Sequence, residues 1–170
     1  MTLPRQVASP CNLEHGPLID SATNTDVIAK IFKLKKRADS KALISLVANE
    51  KQLKSITEII PNLDITSSPT TIVYPNVKKL GKNLLAENGS AAIRIVQDTF
   101  CQKLILSFGK AIISTSANIS GEMAPKQFSE ISKEIKNNVD YIVNLRQNEL
   151  MSIPSSILII NEDNSITKIR

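Results

Sequence analysis

Residues 92–114 read AIRIVQDTFCQKLILSFGKAIIS, and this stretch decides the fold class. Residues 92–96 and 111–114 are short apolar runs, each typical of a buried strand. Residues 99–108 between them have the spacing of a helix, and the side chains predicted to face inward are Phe100, Leu104, Ile105 and Phe108. Gly109 follows where such a helix would end. A helix of about ten residues between two buried strands is typical of an α/β protein.

The same alternation extends through the rest of the chain. Helices are predicted at 25–34 (capped by Asn24 or Thr25), from Asn49 to Ile60, over a short stretch ending at Leu84 and Leu85, and at 128–135. Further strands are predicted at 42–47, 71–74, 139–143, 156–160 and 166–170, and the last two are predicted to pair as a hairpin. We therefore predict an α/β fold: a single domain over residues 1–170, with an open, twisted, mixed sheet and flanking helices.

The composition excludes several classes of protein. The chain has 170 residues, 42% of them hydrophobic and 22% charged, which is typical of one globular domain. No window approaches the roughly 18 uninterrupted apolar residues of a membrane helix, and the first ten residues do not resemble a signal peptide. We therefore predict a cytoplasmic protein that does not contact a membrane. One histidine and no Cys-x-x-Cys pair argue against a zinc site, and both cysteines are predicted to remain thiols.

The charge balance favours anionic partners. The net charge of +5 suits nucleotides or RNA, although a solvated basic surface explains the same excess equally well. Aromatic residues make up only 4% of the chain and tryptophan is absent, which disfavours a base-stacking platform.

A basic segment, KLKKR at residues 33–37, follows the first predicted helix. One interpretation is a helix C-terminus, where cations interact favourably with the negative end of the dipole. The other is a phosphate clamp, in which Arg37 offers a planar fork while Lys35 and Lys41 add point charges. The position beside a buried strand favours the clamp, because ligands of α/β sheets tend to bind at such junctions.

A polar segment, ISTSANISG at residues 113–121, continues directly from an apolar strand. It could be a turn that caps the next helix, since Ser, Thr and Asn favour such positions. A turn needs only one or two of these residues, however. The dense row of hydroxyls, the Asn118 amide and the main-chain N–H groups could instead line a phosphate or carboxylate pocket.

Taken together, the two segments resemble the YrdC-like family, the threonylcarbamoyl-AMP synthases that supply the activated intermediate for threonylcarbamoyladenosine in tRNA. The longest matches are IFKLKKR at 31–37, KALI at 41–44 and STSANISG at 114–121. Shorter matches follow in family order from about residue 20 to residue 170: SPTT at 68–71, AIR at 92–94, VD at 139–140, PSS at 154–156 and KIR at 168–170.

The resemblance implies a reaction and its partners. The substrates would be L-threonine, bicarbonate and ATP, with Mg²⁺ accompanying the ATP and no metal held by the protein alone. Threonylcarbamoyl-AMP and pyrophosphate would be the products. A downstream threonylcarbamoyl transferase would be an indirect partner, and tRNA or double-stranded RNA could bind directly.

The resemblance also implies roles for individual residues. Lys35 and Arg37 would be catalytic and hold the triphosphate. The ATP-binding set would be Arg37, Lys41, Thr71, Ser116, Asn118 and Arg170. Arg94 and Ser155 would bind the threonine carboxylate or the carbamate.

The front of the chain departs from the family pattern. The family's Pro-Thr-x-Thr-x-Tyr-Gly-Leu segment corresponds to PCNLEHGP at 10–17, so Cys11 and Leu13 replace two threonines. We also expect the family's leading strand and helix to have no counterpart here, which should leave a sheet edge bare. We therefore expect ATP binding with little product formation. Two alternatives remain open: a module that binds double-stranded RNA or tRNA, and an inactive relative that only binds nucleotide.

Overall fold

The computed structural model describes residues 7–8, 18–36, 43–63, 65, 68–150 and 155–170. The α-helices in these residues are α1 (Thr25–Leu34), α2 (Glu50–Lys54), α3 (Thr99–Phe108) and α4 (Lys133–Asn137). Short 3₁₀ turns cover Lys82–Leu84 and Phe128–Glu130. The strands are β1 (Val7–Ala8), β2 (Leu18–Ser21), β3 (Ile44–Val47), β4 (Thr70–Tyr74), β5 (Ala91–Ile95), β6 (Ile112–Thr115), β7 (Tyr141–Ile142), β8 (Ser156–Ile160) and β9 (Ile166–Lys168).

Local signals account for the two long helices. The Asn24 side chain accepts a hydrogen bond from the Asp26 amide at 3.0 Å and so caps α1. Asp98 caps α3 in the same way, through the Cys101 amide at 2.9 Å. Gly109 ends α3 with a φ of 73°, a left-handed conformation that glycine adopts without steric cost. Both helices therefore confirm the prediction from sequence.

The strands form one mixed sheet in the order β7-β1-β2-β6-β3-β5-β4-β8-β9. The pairs β3–β5, β4–β8 and β1–β7 are parallel, and the other neighbours are antiparallel. The last two strands pair as a hairpin, with Leu158 opposite Lys168. The predicted mixed sheet and terminal hairpin are confirmed.

Helices cover both faces of the sheet. On one face, Ile28 and Ile31 of α1 pack with a core that includes Ile72, Ile93 and Ile113 of the sheet. On the other face, Cys101 and Ile105 of α3 pack against Leu46 and Ile112. Since Leu46 is in register with both Ile112 and Arg94, the Arg94 side chain belongs to the α3 face. The register thus places a cation on a largely apolar surface.

The expected bare edge is absent at β6. Strand β2 pairs along the whole of β6, from Leu18 opposite Thr115 to Ser21 opposite Ile112. Strand β1 then pairs with β2 and with β7. Strands β1 and β2 are not predicted from the sequence because each is too short to show a clear alternation of apolar and polar residues. Pairing along an existing strand is what makes such short segments extended.

Two predicted helices are shorter than expected. The helix that begins after Asn49 ends at Lys54, where the Ser55 hydroxyl donates to the Gln52 carbonyl at 2.7 Å. Pro61, seven residues after Lys54, opposes a helix that would reach Ile60. The predicted helix at 128–135 divides into a 3₁₀ turn and α4, because the Ser132 hydroxyl caps a new helix at the Ile135 amide.

Two side-chain predictions are wrong. Phe108 was expected to face inward, but it is the last residue of α3 and is 39% exposed. Cys101 is buried and disulfide-bonded, not a thiol. Composition predicts the average state of cysteines but cannot show which sulfur atoms lie within bonding distance. Cys11 lies outside the described residues.

Candidate functional site

The described site residues form two sets, which lie at opposite ends of the strands of the sheet. Ser116 and Asn118 follow the end of β6, whereas Thr71 and Ser155 lie at the beginnings of β4 and β8. Strands β4 and β6 run in the same direction, so the end of β6 and the beginning of β4 are at opposite ends of the strands. We call residues 116–122 the Ser-x-Asn loop, and Thr71, Arg94, Ser155 and Arg170 the Arg94 cluster.

Lys35, directly after α1, joins that helix to the Ser-x-Asn loop. Its side chain is almost fully buried, with 2% of the residue exposed. The ammonium donates to the Ser116 and Asn118 carbonyls, the latter at 2.8 Å, and to Asn118 Oδ1 at 3.2 Å. The Ser116 hydroxyl lies 3.4 Å from Nζ. In return, the Lys35 carbonyl accepts a hydrogen bond from the Ser120 amide at 2.9 Å.

Asn118 is bonded at both ends of its amide group. Oδ1 accepts from Lys35, and Nδ2 donates to the Glu122 carbonyl at 2.7 Å. Gly121 within this short turn has a φ of 88°, which favours glycine. The amide side chain therefore closes the turn upon itself and fixes the path of the loop.

The Arg94 cluster is built from hydroxyl groups around a buried guanidinium. Thr71 and Ser155 are each 1% exposed and Arg94 is 4% exposed. Thr71 Oγ1 accepts from Arg94 Nε at 2.9 Å and from one terminal nitrogen at 2.6 Å. The same terminal nitrogen is 2.5 Å from Ser155 Oγ, and the two hydroxyl oxygens are 3.3 Å apart. Antiparallel pairing of β4 with β5 puts Thr71 opposite Arg94 and so explains the contact.

Arg170 adds a second guanidinium to this cluster. Its Nε donates to the Ser155 carbonyl at 3.0 Å, and a terminal nitrogen lies 3.4 Å from Ser155 Oγ. Its main-chain carbonyl accepts from the Ile157 amide at 3.0 Å. Arg170 is thus tied to β8, and two cationic side chains meet at Ser155.

These contacts fit some predicted groupings and not others. Lys35, Ser116 and Asn118 lie together as predicted for the nucleotide side, and Arg94 and Ser155 lie together as predicted for threonine. Thr71 and Arg170, which the resemblance assigns to ATP, instead contact the threonine-side residues. Arg37 and Lys41 lie outside the described residues, and their roles stay predictions.

Two ion pairs near these sets were not foreseen from the sequence. Arg146 lies 2.5 Å from the Asp98 carboxylate, which also caps α3, and both side chains are mostly buried. This pair ties the segment that leads to β8 onto the start of α3. Lys36 pairs with Glu134 of α4 at 2.8 Å, and that hydrogen bond raises the pKa of Lys36 above its ordinary value. Neither pair has a spacing that sequence periodicity could reveal.

Within the residues described, no three or more His, Cys, Asp or Glu side chains group together as metal ligands. No helix in the described ranges is long and apolar enough to span a membrane.

Comparison with known proteins gives matches over most of the chain. The family model for Sua5, YciO and YrdC proteins, described as "Telomere recombination", matches residues 17–170. The chain is 30% identical over 128 residues to a threonylcarbamoyl-AMP synthase of Photobacterium profundum, covering 71% of this chain and 69% of the relative. It is 32% identical over 120 residues to a threonylcarbamoyl-AMP synthase of Blochmanniella pennsylvanica, covering 66% of this chain and 62% of that relative.

Solved structures show the same fold. P. abyssi Sua5 in complex with L-threonine superimposes with a TM-score of 0.83 at 21% identity, over 98% of this chain and 50% of that chain. E. coli YciO superimposes with a TM-score of 0.79 at 16% identity, over 98% of this chain and 82% of that chain. This chain thus spans about half the length of the first protein and most of the second.

Proposed function

The chain belongs to the Sua5/YciO/YrdC family, and from that membership we propose that it makes threonylcarbamoyl-AMP and pyrophosphate from L-threonine, bicarbonate and ATP. The observation that supports this most directly is the bonding of Lys35 to the Ser-x-Asn loop. It joins in space the two motifs on which the resemblance depends. Relatives at about 30% identity carry the name threonylcarbamoyl-AMP synthase, and one structural neighbour was solved with L-threonine.

The proposed reaction needs no nucleophile from the protein. The amine of threonine condenses with bicarbonate to give a carbamate and water. A carbamate oxygen then attacks the α-phosphorus of ATP, and the bond from that phosphorus to the bridging oxygen breaks, so that pyrophosphate leaves with the electron pair. The protein has to align the two substrates, neutralise phosphate charge and keep water from the labile carbamate.

The two sets of residues suit the two substrates, and because the sets lie at opposite ends of the strands, ATP bound at the Ser-x-Asn loop would extend toward the Arg94 cluster to bring its α-phosphorus to the carbamate. The Ser-x-Asn loop would take the nucleotide, together with Arg37 and Lys41, which follow Lys35 closely in sequence. The Arg94 cluster would take the threonine carboxylate, because a guanidinium offers paired N–H donors to a carboxylate. In this arrangement Thr71 positions Arg94, and Arg170 completes the same anion site through Ser155.

Mg²⁺ is implied by the use of ATP, but the described residues do not fit a protein-held magnesium site. Mg²⁺ prefers carboxylate and phosphate oxygens, and the side chains described in both sets are hydroxyls, an amide and cations. The triphosphate itself would therefore carry the ion into the site.

The cellular context follows from the product. Threonylcarbamoyl-AMP carries an activated acyl group that a threonylcarbamoyl transferase would pass to tRNA. The chain would therefore act in the cytoplasm, in the step before that transfer. Direct binding of tRNA or double-stranded RNA is the competing proposal, and the net charge of +5 is the feature that favours it.

The test is a pair of measurements on the same protein. Calorimetry with ATP reports nucleotide binding, and a product assay with radiolabelled threonine, bicarbonate and ATP reports turnover. Because Cys11 and Leu13 replace the family's threonines, we expect clear ATP binding with slow product formation. Dependence of product on all three substrates would support the synthase.

The other outcomes separate the alternatives. ATP binding with no product under any condition would identify an inactive relative and overturn the proposal. Salt-sensitive RNA binding that persists without ATP, again with no product, would identify an RNA-binding module.

A further inference from the structure

The Lys35 ammonium lies among several oxygen atoms of the Ser-x-Asn loop. An ammonium has three N–H donors. Three oxygens lie close to Nζ: the Ser116 carbonyl, the Asn118 carbonyl and Asn118 Oδ1. The loop therefore supplies as many close acceptors as the ammonium has donors.

These acceptors do not readily release the ammonium to a ligand. Main-chain carbonyls cannot turn away without moving the chain, and buried carbonyls that lose a donor are costly. The Lys35 carbonyl is bonded to the Ser120 amide as well, so contacts run in both directions between the end of α1 and the loop. With only 2% of the residue exposed, the ammonium lies beneath the loop, away from solvent.

We propose that Lys35 is a positioning residue: its ammonium fixes the conformation of the Ser-x-Asn loop and does not bind the triphosphate. Phosphate charge is then neutralised by the other basic residues that follow α1, Arg37 and Lys41. The part of this inference that concerns ATP rests on the proposed function. The part that concerns the loop is a property of the free protein.

The first test measures hydrogen exchange at the Ser120 amide without ligand. The acceptor of this amide is the main-chain carbonyl of residue 35, which remains when Lys35 is replaced by Met. We expect K35M to exchange about ten-fold or more faster at Ser120, because the loop loses charge-assisted hydrogen bonds. Exchange at Ser120 equal to that of the original protein would overturn the proposal.

The second test separates position from charge. Arginine keeps the positive charge and is a good phosphate ligand, but its planar guanidinium does not fit a compact buried site shaped for an ammonium. We expect K35R to weaken ATP binding about as much as K35M does. Recovery of normal ATP affinity in K35R would show that charge on the phosphate is what matters, and would overturn the proposal.

The third test compares two nucleotides. If Lys35 acts through the loop, K35M should weaken ATP and AMP by the same factor, leaving the ratio of their dissociation constants unchanged. R37M, which removes a group assigned to the triphosphate, should weaken ATP more than AMP. A selective loss of ATP affinity in K35M would contradict the positioning role.

Controls keep these results interpretable. K33M removes an exposed charge from the last turn of the same helix and should alter neither Ser120 exchange nor nucleotide binding. If K35M does not fold, as judged by thermal melting, N118A removes one acceptor and should raise Ser120 exchange by a smaller factor. Failure of the original protein to make product would overturn the proposed function but leave the Ser120 result standing.

Discussion

The Ser-x-Asn loop and the Arg94 cluster each surround a buried cation, but with different partners. Around Lys35 the principal acceptors are two main-chain carbonyls and an amide oxygen, all of which can only accept. Around Arg94 they are the Thr71 and Ser155 hydroxyls, which donate as well as accept. A hydroxyl can stay bonded when an incoming carboxylate takes over part of the guanidinium. The first arrangement therefore suits a fixed support and the second an exchangeable binding site.

The largest expected effect is on threonine binding after Arg94 is replaced. R94L should weaken threonine binding by about 100-fold or more, since a bidentate, charge-assisted contact is lost. ATP affinity should change little, because the Ser-x-Asn loop lies at the opposite ends of the strands. Calorimetry with each substrate separately checks both statements. Equal losses for threonine and ATP would contradict the division between the two regions.

The stability of the protein at alkaline pH tests the packing of β4, the strand that carries Thr71. Burial raises the pKa of Tyr74, at the far end of β4, to about 12 from an ordinary value of 10.0. Because the pKa of Tyr74 is higher in the folded protein than in the unfolded chain, its contribution to the free energy of unfolding is complete below pH 10. This contribution is lost as the pH rises through 12. The free energy of unfolding should fall by roughly 2–3 kcal/mol over this window from Tyr74 alone.

The matched variant for this pH effect is Y74F. Denaturant titrations of both proteins at several pH values give the comparison, and Y74F should lack the additional fall. The same pH dependence in both proteins would mean that another group is responsible.

Within the Arg94 cluster, the two hydroxyls should be unequal. Thr71 Oγ1 accepts two N–H groups of Arg94, whereas Ser155 Oγ accepts one from Arg94 and lies 3.4 Å from a terminal nitrogen of Arg170. T71V should therefore lower the free energy of unfolding by about 1–3 kcal/mol, the cost of leaving a buried donor unpaired. S155A should cost less because Arg94 keeps Thr71. Chemical denaturation measures both, and a larger loss in S155A would identify Ser155 as the main support.

The smallest effect is expected at the ion pair beside the Ser-x-Asn loop. Lys36 and Glu134 are both about half exposed or more, and such pairs contribute little to stability. E134Q should leave the melting temperature and ATP affinity almost unchanged. A marked loss of ATP affinity would show that α4 also helps to fix the conformation of the Ser-x-Asn loop.

Much of the fold, but less of the site, can be predicted from the sequence. The bounds of α3 and β8 agree with the predicted 99–108 and 156–160, because caps and apolar runs mark their ends. Strands β1 and β2 could not be predicted, since their extended form depends on a neighbouring strand. The type of residue at Lys35 and Arg94 is visible in the sequence. Whether each meets a carbonyl or a hydroxyl depends on loop paths and strand register, which residue types do not encode.

Hydrogen bonds between residues that are far apart in sequence affect how the protein folds during synthesis. Lys35 and the loop are 81–83 residues apart, and Thr71 and Ser155 are 84 residues apart. Contacts that close such long stretches of chain carry a high entropic cost early in folding, and they form once the sheet has brought the segments together. During synthesis, the Arg94 cluster can assemble only after Ser155 has left the ribosome. A nascent chain therefore lacks the complete Arg94 cluster for most of its synthesis.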